Sequence, residues 1–201
     1  MPDPFRPLDD GEVARLVAEH PLAWVVARGD AAGFAASPLP LLADLDGDGR
    51  VVRLVGHMAR RNRLATVLAE CPRALILFQG PQGYVSPGVV RDRSWGPTWN
   101  YAVVEVEADV TLRPGDNHAA LTRLVDSMER DRAAPWTVAE MGPRYERLSQ
   151  AIVAFHAEVR RLDARFKLGQ DERPEIYRDI LGSLPADDGL AAIMRRSNPG
   201  R

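Results

Sequence analysis

The chain is poor in cysteine, in histidine and in charge imbalance. A single cysteine, Cys71, stands among 201 residues. It cannot form an intramolecular disulfide, so a reducing compartment fits best. It precedes a proline at the end of an apolar run, where packing suits it better than nucleophilic chemistry. The four histidines, His20, His57, His118 and His156, lack metal-ligand spacing, and no metal site is expected. A net charge of −2 denies nucleic-acid binding the support of a broad basic surface. No apolar run approaches the roughly 20 residues needed to span a bilayer. Met1-Pro2-Asp3-Pro4-Phe5 shows no basic stretch leading into an apolar one, so no signal peptide is read there. A soluble, cytoplasmic protein with no membrane partner is expected. Hydrophobic residues at 45% and charged residues at 27% fit an ordinary globular fold.

Periodicity sets the order of elements. Residues 9–19 read as a helix capped by Asp9 or Asp10, with Val13, Leu16 and Val17 on one face. Leu22–Ala27 is a short strand, and Arg28-Gly29-Asp30 offers turn chemistry. Residues 33–43 form a second strand that Pro38 and Pro40 confine to an edge or a bulge. Asp44-Leu45-Asp46-Gly47-Asp48-Gly49 resembles the opening of a calcium loop, but its twelfth position is Val55 instead of glutamate. A polar hairpin turn before a strand at Val51–His57 is the plainer reading. Asn62 caps a helix carrying Leu64, Val67 and Leu68 inward. Ala74–Phe78 is an apolar strand, and Gly80, Pro81, Gly83, Pro87 and Gly88 mark a long loop through residue 98. In 101–112, Val104, Val106, Ala108 and Val110 alternate with Glu105, Glu107 and Asp109, the pattern of a half-buried strand.

The remainder is more helical. Leu121, Leu124, Val125 and Met128 form a stripe on a helix at about 116–130. Thr137 and Glu140 have capping-box spacing, and Tyr145, Leu148 and Ile152 continue a helical face. Val153, Phe155, Ala157 and Val159 alternate as a long strand. Pro174 opens a last helix with Ile176, Ile180 and Leu181. The chain reads as one domain over 1–185, with a helical insert at about 116–151 and a polar tail at 186–201. The order fits an α+β fold with an antiparallel barrel or sheet better than regular βαβ alternation.

Two segments carry chemistry. Gly56-His57-Met58-Ala59-Arg60-Arg61-Asn62 joins a strand end to a helix start. Helix N-termini present N–H groups to anions, and Arg60, Arg61 and Arg63 add positive charge. This is a phosphate pocket or a solvated basic turn with Asn62 as a mere cap, and the residues alone leave both open. Ser94-Trp95-Gly96-Pro97-Thr98-Trp99-Asn100-Tyr101 concentrates aromatic rings. It suits stacking on a planar ligand, a core plug or a dimer interface.

Taken with Phe78-Gln79-Gly80-Pro81-Gln82-Gly83-Tyr84-Val85-Ser86-Pro87 and Phe166-Lys167-Leu168-Gly169-Gln170, these segments resemble the FMN-binding negative transcriptional regulators of the PaiB type. The resemblance implies an FMN-binding split β-barrel with flanking helices and a C-terminal helical segment. It also implies a homodimer with FMN at the subunit interface. It would place His57, Met58, Arg60, Arg61 and Asn62 at the phosphate. Gln79, Tyr84, Ser86, Thr98, Trp99 and Asn100 would lie near the ring, with Lys167 and Gln170 closing the site. The chain departs from the family at Gly88-Val89-Val90, where Ser-Trp-Tyr is usual, at Gly96, where valine is usual, and at Gly169 and Asp171 in the last motif.

The expected function is that of an FMN-binding homodimeric regulator. The alternative is an FMN-dependent oxidoreductase or flavin reductase on the same barrel. No residue stands out as a general acid or base, so no catalytic residue is assigned. DNA is a partner of the regulator reading without support from charge, and no helix-turn-helix is evident.

Overall fold

Strand alternation closes into a barrel. The computed structural model describes residues 3–29 and 33–201. Its strands are β1 (Leu22–Gly29), β2 (Gly33–Leu45), β3 (Val51–Ala59), β4 (Arg73–Val85), β5 (Thr98–Leu112) and β6 (Ile152–Lys167). They run in the order β1-β2-β3-β6-β5-β4, with β4 returning to β1, and every neighbouring pair is antiparallel. The turn read at Arg28-Gly29-Asp30 falls partly outside the described residues.

The barrel interior follows the pattern read on β5. Val104, Val106, Ala108 and Val110 are buried there. Outside, Asp109 pairs with Arg73 and Arg160, and Glu107 with Arg161. The prolines of β2 obey the edge rule locally. Leu41 N donates to Pro21 O, so alternation turns the nitrogens of Pro38 and Pro40 away from β1. The β2–β3 register begins only at Leu41↔Gly56, so no ladder bond is asked of either ring. At the β2–β3 turn, Asp46 Oδ1 accepts from Asp48 N and Arg50 N, both at 2.9 Å, the polar hairpin expected.

Helices α1 (Asp10–Glu19) and α2 (Arg63–Glu70) cover the barrel's apolar openings. Asp9 accepts from Glu12 N and Asn62 from Leu64 N, as the capping signals predict. Their inward residues, among them Leu16, Val17, Leu64 and Leu68, join one core with Ile76, Phe78, Phe155 and Phe166. Such burial supplies the main folding force at about 25 cal/mol per Å² of apolar surface.

Four expectations are corrected. The strand read at Ala74–Phe78 runs on to Val85, so the loop to residue 98 is shorter. A register slip between Gln79 and Gln82 absorbs Pro81. The glycines there answer to close approach, not to a turn. A Cβ on Gly80 would stand 2.9 Å from Leu16 Cδ1, and one on Gly83 would stand 3.0 Å from Leu190 Cδ2. In the insert, α3 (Asn117–Glu129) buries only Ala120, and Met128 is exposed. The expected four-residue stripe is half-covered because α3 touches the outer wall of β3 and β6 through a small residue, beside Val55 and Ala154. The Thr137–Glu140 capping box forms as expected, on a single 3₁₀ turn. Ile152 leaves the helical face assigned to it. It starts β6 opposite Ala59, two residues after α4 (Arg144–Gln150) ends.

The fourth correction concerns the tail. Helix α5 (Pro174–Ser183) begins at Pro174 as read. Beyond it, α6 (Gly189–Ser197) occupies most of the residues read as a polar tail. Asp188 caps it through Leu190 N and Ala191 N. Leu190, Ala191, Ile193 and Met194 are buried. No helix among the described residues is long and apolar enough to cross a membrane.

Candidate functional site

The basic segment turns between β3 and α2. Alternation along β3 sends Met58 into the core and His57 outward, where its Nδ1 is buried and finds no hydrogen-bond partner among the described residues. Burial holds the His57 imidazole below its ordinary pKa, favouring the neutral ring. Arg60 donates from Nε to Gln150 O at 2.8 Å and from its backbone to Ala151 O at 2.9 Å. It therefore clamps the end of α4 to the junction. Arg61 is exposed and has no hydrogen bond or ion pair among the described residues.

The helix terminus itself differs from expectation. Asn62 N donates to Ala59 O, Leu64 N to Asn62 Oδ1, and Ala65 N to Asn62 O. Asn62 Nδ2 donates to Ser37 Oγ at 3.0 Å. The N–H groups expected to face an anion are largely paired, and Asn62 serves as cap and tether. The polar groups left facing outward here are His57, the terminal nitrogens of Arg60, and Arg61. These three line a cavity of about 510 Å³ whose far wall is apolar: Leu121, Met141, Leu148 and Ile152. Sequence reading missed that wall, because three separate elements of the insert and the start of β6 assemble it.

The aromatic segment lies at the start of β5. Trp99 pairs with Tyr84 across the β4–β5 ladder. Their rings stand 5.8 Å apart at 55°. Both stay open to solvent, Tyr84 at 58% and Trp99 at 49% exposure, an unusual exposure for two neighbouring large rings. Trp99 Nε1 donates to Gln82 Oε1 at 2.5 Å. Lys167 Nζ donates to Thr98 Oγ1, and Ser86 Oγ accepts from Gly88 N. Gln82 was overlooked, although it shares the exposed face of β4 with Tyr84 two residues on.

The other predicted residues scatter. Asn100 is buried, its Nδ2 3.6 Å from Met194 Sδ. Gln170 closes its own turn, accepting from Leu168 N and donating to Phe166 O. Gln79 is exposed on the far side of the register slip. One group of predicted residues gathers at the basic junction: His57, Arg60 and Arg61. Another gathers at the aromatic end: Tyr84, Ser86, Thr98, Trp99 and Lys167.

The two groups lie toward opposite ends of β6. His57 pairs with Ala154, whereas Tyr101, next to the aromatic pair, is partnered by Lys167. From 154 to 167 the path follows about 40 Å of strand, at roughly 3.3 Å per residue.

The family described as "Putative FMN-binding domain" matches residues 1–161. The chain belongs to this FMN-binding family. The Protease synthase and sporulation protein PAI 2 of Bacillus subtilis is 26% identical over 190 residues, covering 94% of this chain and 90% of that protein. The PaiB-type resemblance therefore holds. Among solved structures, an FAD and heme binding protein from Mycobacterium smegmatis gives a TM-score of 0.59 at 17% identity, over 88% of this chain and 79% of that one. A conserved hypothetical protein from Mycobacterium tuberculosis gives 0.55 at 17% identity, over 89% of each. These likenesses fix the fold as an α+β split barrel. Membership of the family makes FMN the cofactor. The residues present fit both its ends: an orphaned imidazole nitrogen with two arginines suits a phosphate, and an open aromatic pair suits a planar ring. The family match ends before Lys167, Gln170, α5 and α6.

Proposed function

We propose that the chain works as a homodimer in which each FMN is shared, its phosphate held by one copy and its ring by the other. The observation that carries this reading is the placement of the two groups toward opposite ends of β6. A flavin mononucleotide is much shorter than that length of strand, which favours half a site at each end of one copy. Exposed apolar side chains on β1 and β2 support association. Leu22 and Trp24 are neighbours on one face of β1 at 63% and 53% exposure, and Phe34, 70% exposed, lies farther along opposite Arg28, whose guanidinium stands 5.8 Å from its ring.

At the basic end, Arg60 and Arg61 supply charge-assisted hydrogen bonds, and His57 fills its empty valence against a phosphate oxygen. At the aromatic end, Tyr84 and Trp99 cover the ring while Lys167 holds Thr98 and the Trp99 backbone in place. The bound flavin supplies reversible electron acceptance, and the chain supplies orientation and exclusion of water. The regulatory reading follows the PaiB-type resemblance: a cytoplasmic negative transcriptional regulator whose dimer responds to its flavin. A net charge of −2 leaves any DNA contact to a local basic patch. A second reading, a flavin-dependent oxidoreductase, is favoured by one observation: a small cavity opens beside Tyr84, where a ring-bearing substrate has room.

Subunit complementation tests the shared site. Arg61→Ala and Trp99→Ala variants, each impaired in binding FMN, are unfolded together, refolded as a mixture and titrated with FMN. Recovery of a tight-binding fraction is expected. A mixture no better than its components would refute sharing. A colourless wild-type protein that stays unchanged when FMN is added would remove the flavin reading altogether.

A further inference from the structure

A cavity of about 270 Å³ lies between the end of β4 and the turn joining α5 to α6. Its apolar lining includes Val89, Ile180, Leu184 and Leu190. Its charge is opposite to that of the basic junction. No lysine, arginine or histidine lines it, and Asp188 is its only charged residue. Asp188 Oδ1 is engaged by Leu190 N and Ala191 N. Its Oδ2 and the Tyr84 hydroxyl have no hydrogen-bond partner among the described residues.

These features restrict the ligand. A phosphate or carboxylate would meet a like charge with no cation to offset it. The volume falls below the roughly 300–1,000 Å³ of pockets for drug-sized molecules, so a single ring fits and a dinucleotide does not. One free acceptor, Asp188 Oδ2, calls for an N–H donor on the ligand. The Tyr84 hydroxyl calls for an acceptor.

We propose that this cavity binds an uncharged, single-ring aromatic carboxamide. The ring packs among Val89, Ile180, Leu184 and Leu190. The amide N–H donates to Asp188 Oδ2, and its carbonyl accepts from Tyr84. The cavity needs no flavin to do this; only its placement beside a flavin ring rests on the reading above. Tyr84 belongs to both, so the ligand's ring lies against the edge of the aromatic platform.

Benzamide and benzoate, matched in shape but neutral and anionic respectively, are the probes. Dissociation constants are measured by ligand-detected NMR on the full chain, with and without added FMN. Benzamide binds, and benzoate is weaker by at least about tenfold, a difference of about 1.4 kcal/mol. Val89→Trp and Ser183→Trp, both at exposed positions, fill the cavity and weaken benzamide about tenfold, with thermal melts reporting on folding. Asp188→Asn keeps a good helix cap and narrows the gap between the probes. Equal binding of benzoate and benzamide by the wild type overturns the proposal. So does full benzamide binding in both tryptophan variants, or no benzamide binding at all. A colourless protein that still binds benzamide upholds the cavity and sinks only its placement beside a flavin.

Discussion

The two ends of the barrel are built from the same sheet and obey opposite rules. At the β3–α2 junction, side chains carry positive charge and the backbone donors are largely paired. At the β4–β5 end, rings lie open to solvent, and the neighbouring cavity holds a lone carboxylate. On the proposed reading, one end selects a ligand by charge and the other by flat apolar surface. A molecule that is anionic at one terminus and planar at the other satisfies both, provided two copies present them. Charge acts at longer range than contact, so the basic end should set affinity and the aromatic end should set which ring is accepted.

That ranking can be broken. The double variant Arg60→Ala/Arg61→Ala should lose FMN affinity by about a hundredfold, the cost of two charge-assisted hydrogen bonds. Fluorescence-quenching titration measures it. Trp99→Ala should weaken FMN by no more than about tenfold, on the scale of one aromatic pair. If the tryptophan variant proves the worse of the two, stacking leads and the ranking reverses. Asn62→Ala should cost about 1 kcal/mol of stability through its lost cap, read as a lower midpoint in urea, with FMN affinity held. Intact stability with collapsed FMN binding would make Asn62 a ligand instead.

The smallest effect expected is a pH dependence at His57. Burial lowers its folded-state pKa, so the unfolded chain takes up the proton more readily. The stability given by the neutral ring is complete above the ordinary value of about 6.5. It declines as pH falls from there toward the lower folded value. His57→Gln should flatten that part of the stability curve. A bound phosphate favours the protonated ring, so FMN binding should take up protons at pH values above the lowered folded pKa of His57, which calorimetry in buffers of different ionisation heat detects. No uptake would detach His57 from the phosphate.

Legibility in the sequence followed the range of the interactions concerned. Asp9 and Asn62 announce their helices because a cap bonds within three residues. The inward valines of β5 are legible because alternation is local. Gly80 and Gly83 read as loop residues because the reason for them, the approach of Leu16 and Leu190, lies far away in the chain. Helix α6 was hidden by its polar flanks, Asp187-Asp188 and Arg195-Arg196, around a short apolar run. At the candidate site, residue types pointed to phosphate and ring chemistry. The register of β6, which holds those residues apart, is a long-range fact that no single segment contains.

The prolines of β2 bear on how two barrels can meet. Where β3 does not reach, a strand edge would normally invite a foreign strand to zip on by backbone pairing. Pro38 and Pro40 present no N–H there, so that edge lacks donors at two positions in a row of its outward-facing nitrogens. Runaway strand-on-strand polymerisation is discouraged beside the very surface where Trp24 and Phe34 lie bare. In the proposed dimer, association is thereby steered to side chains meeting face to face, which stops at a closed pair.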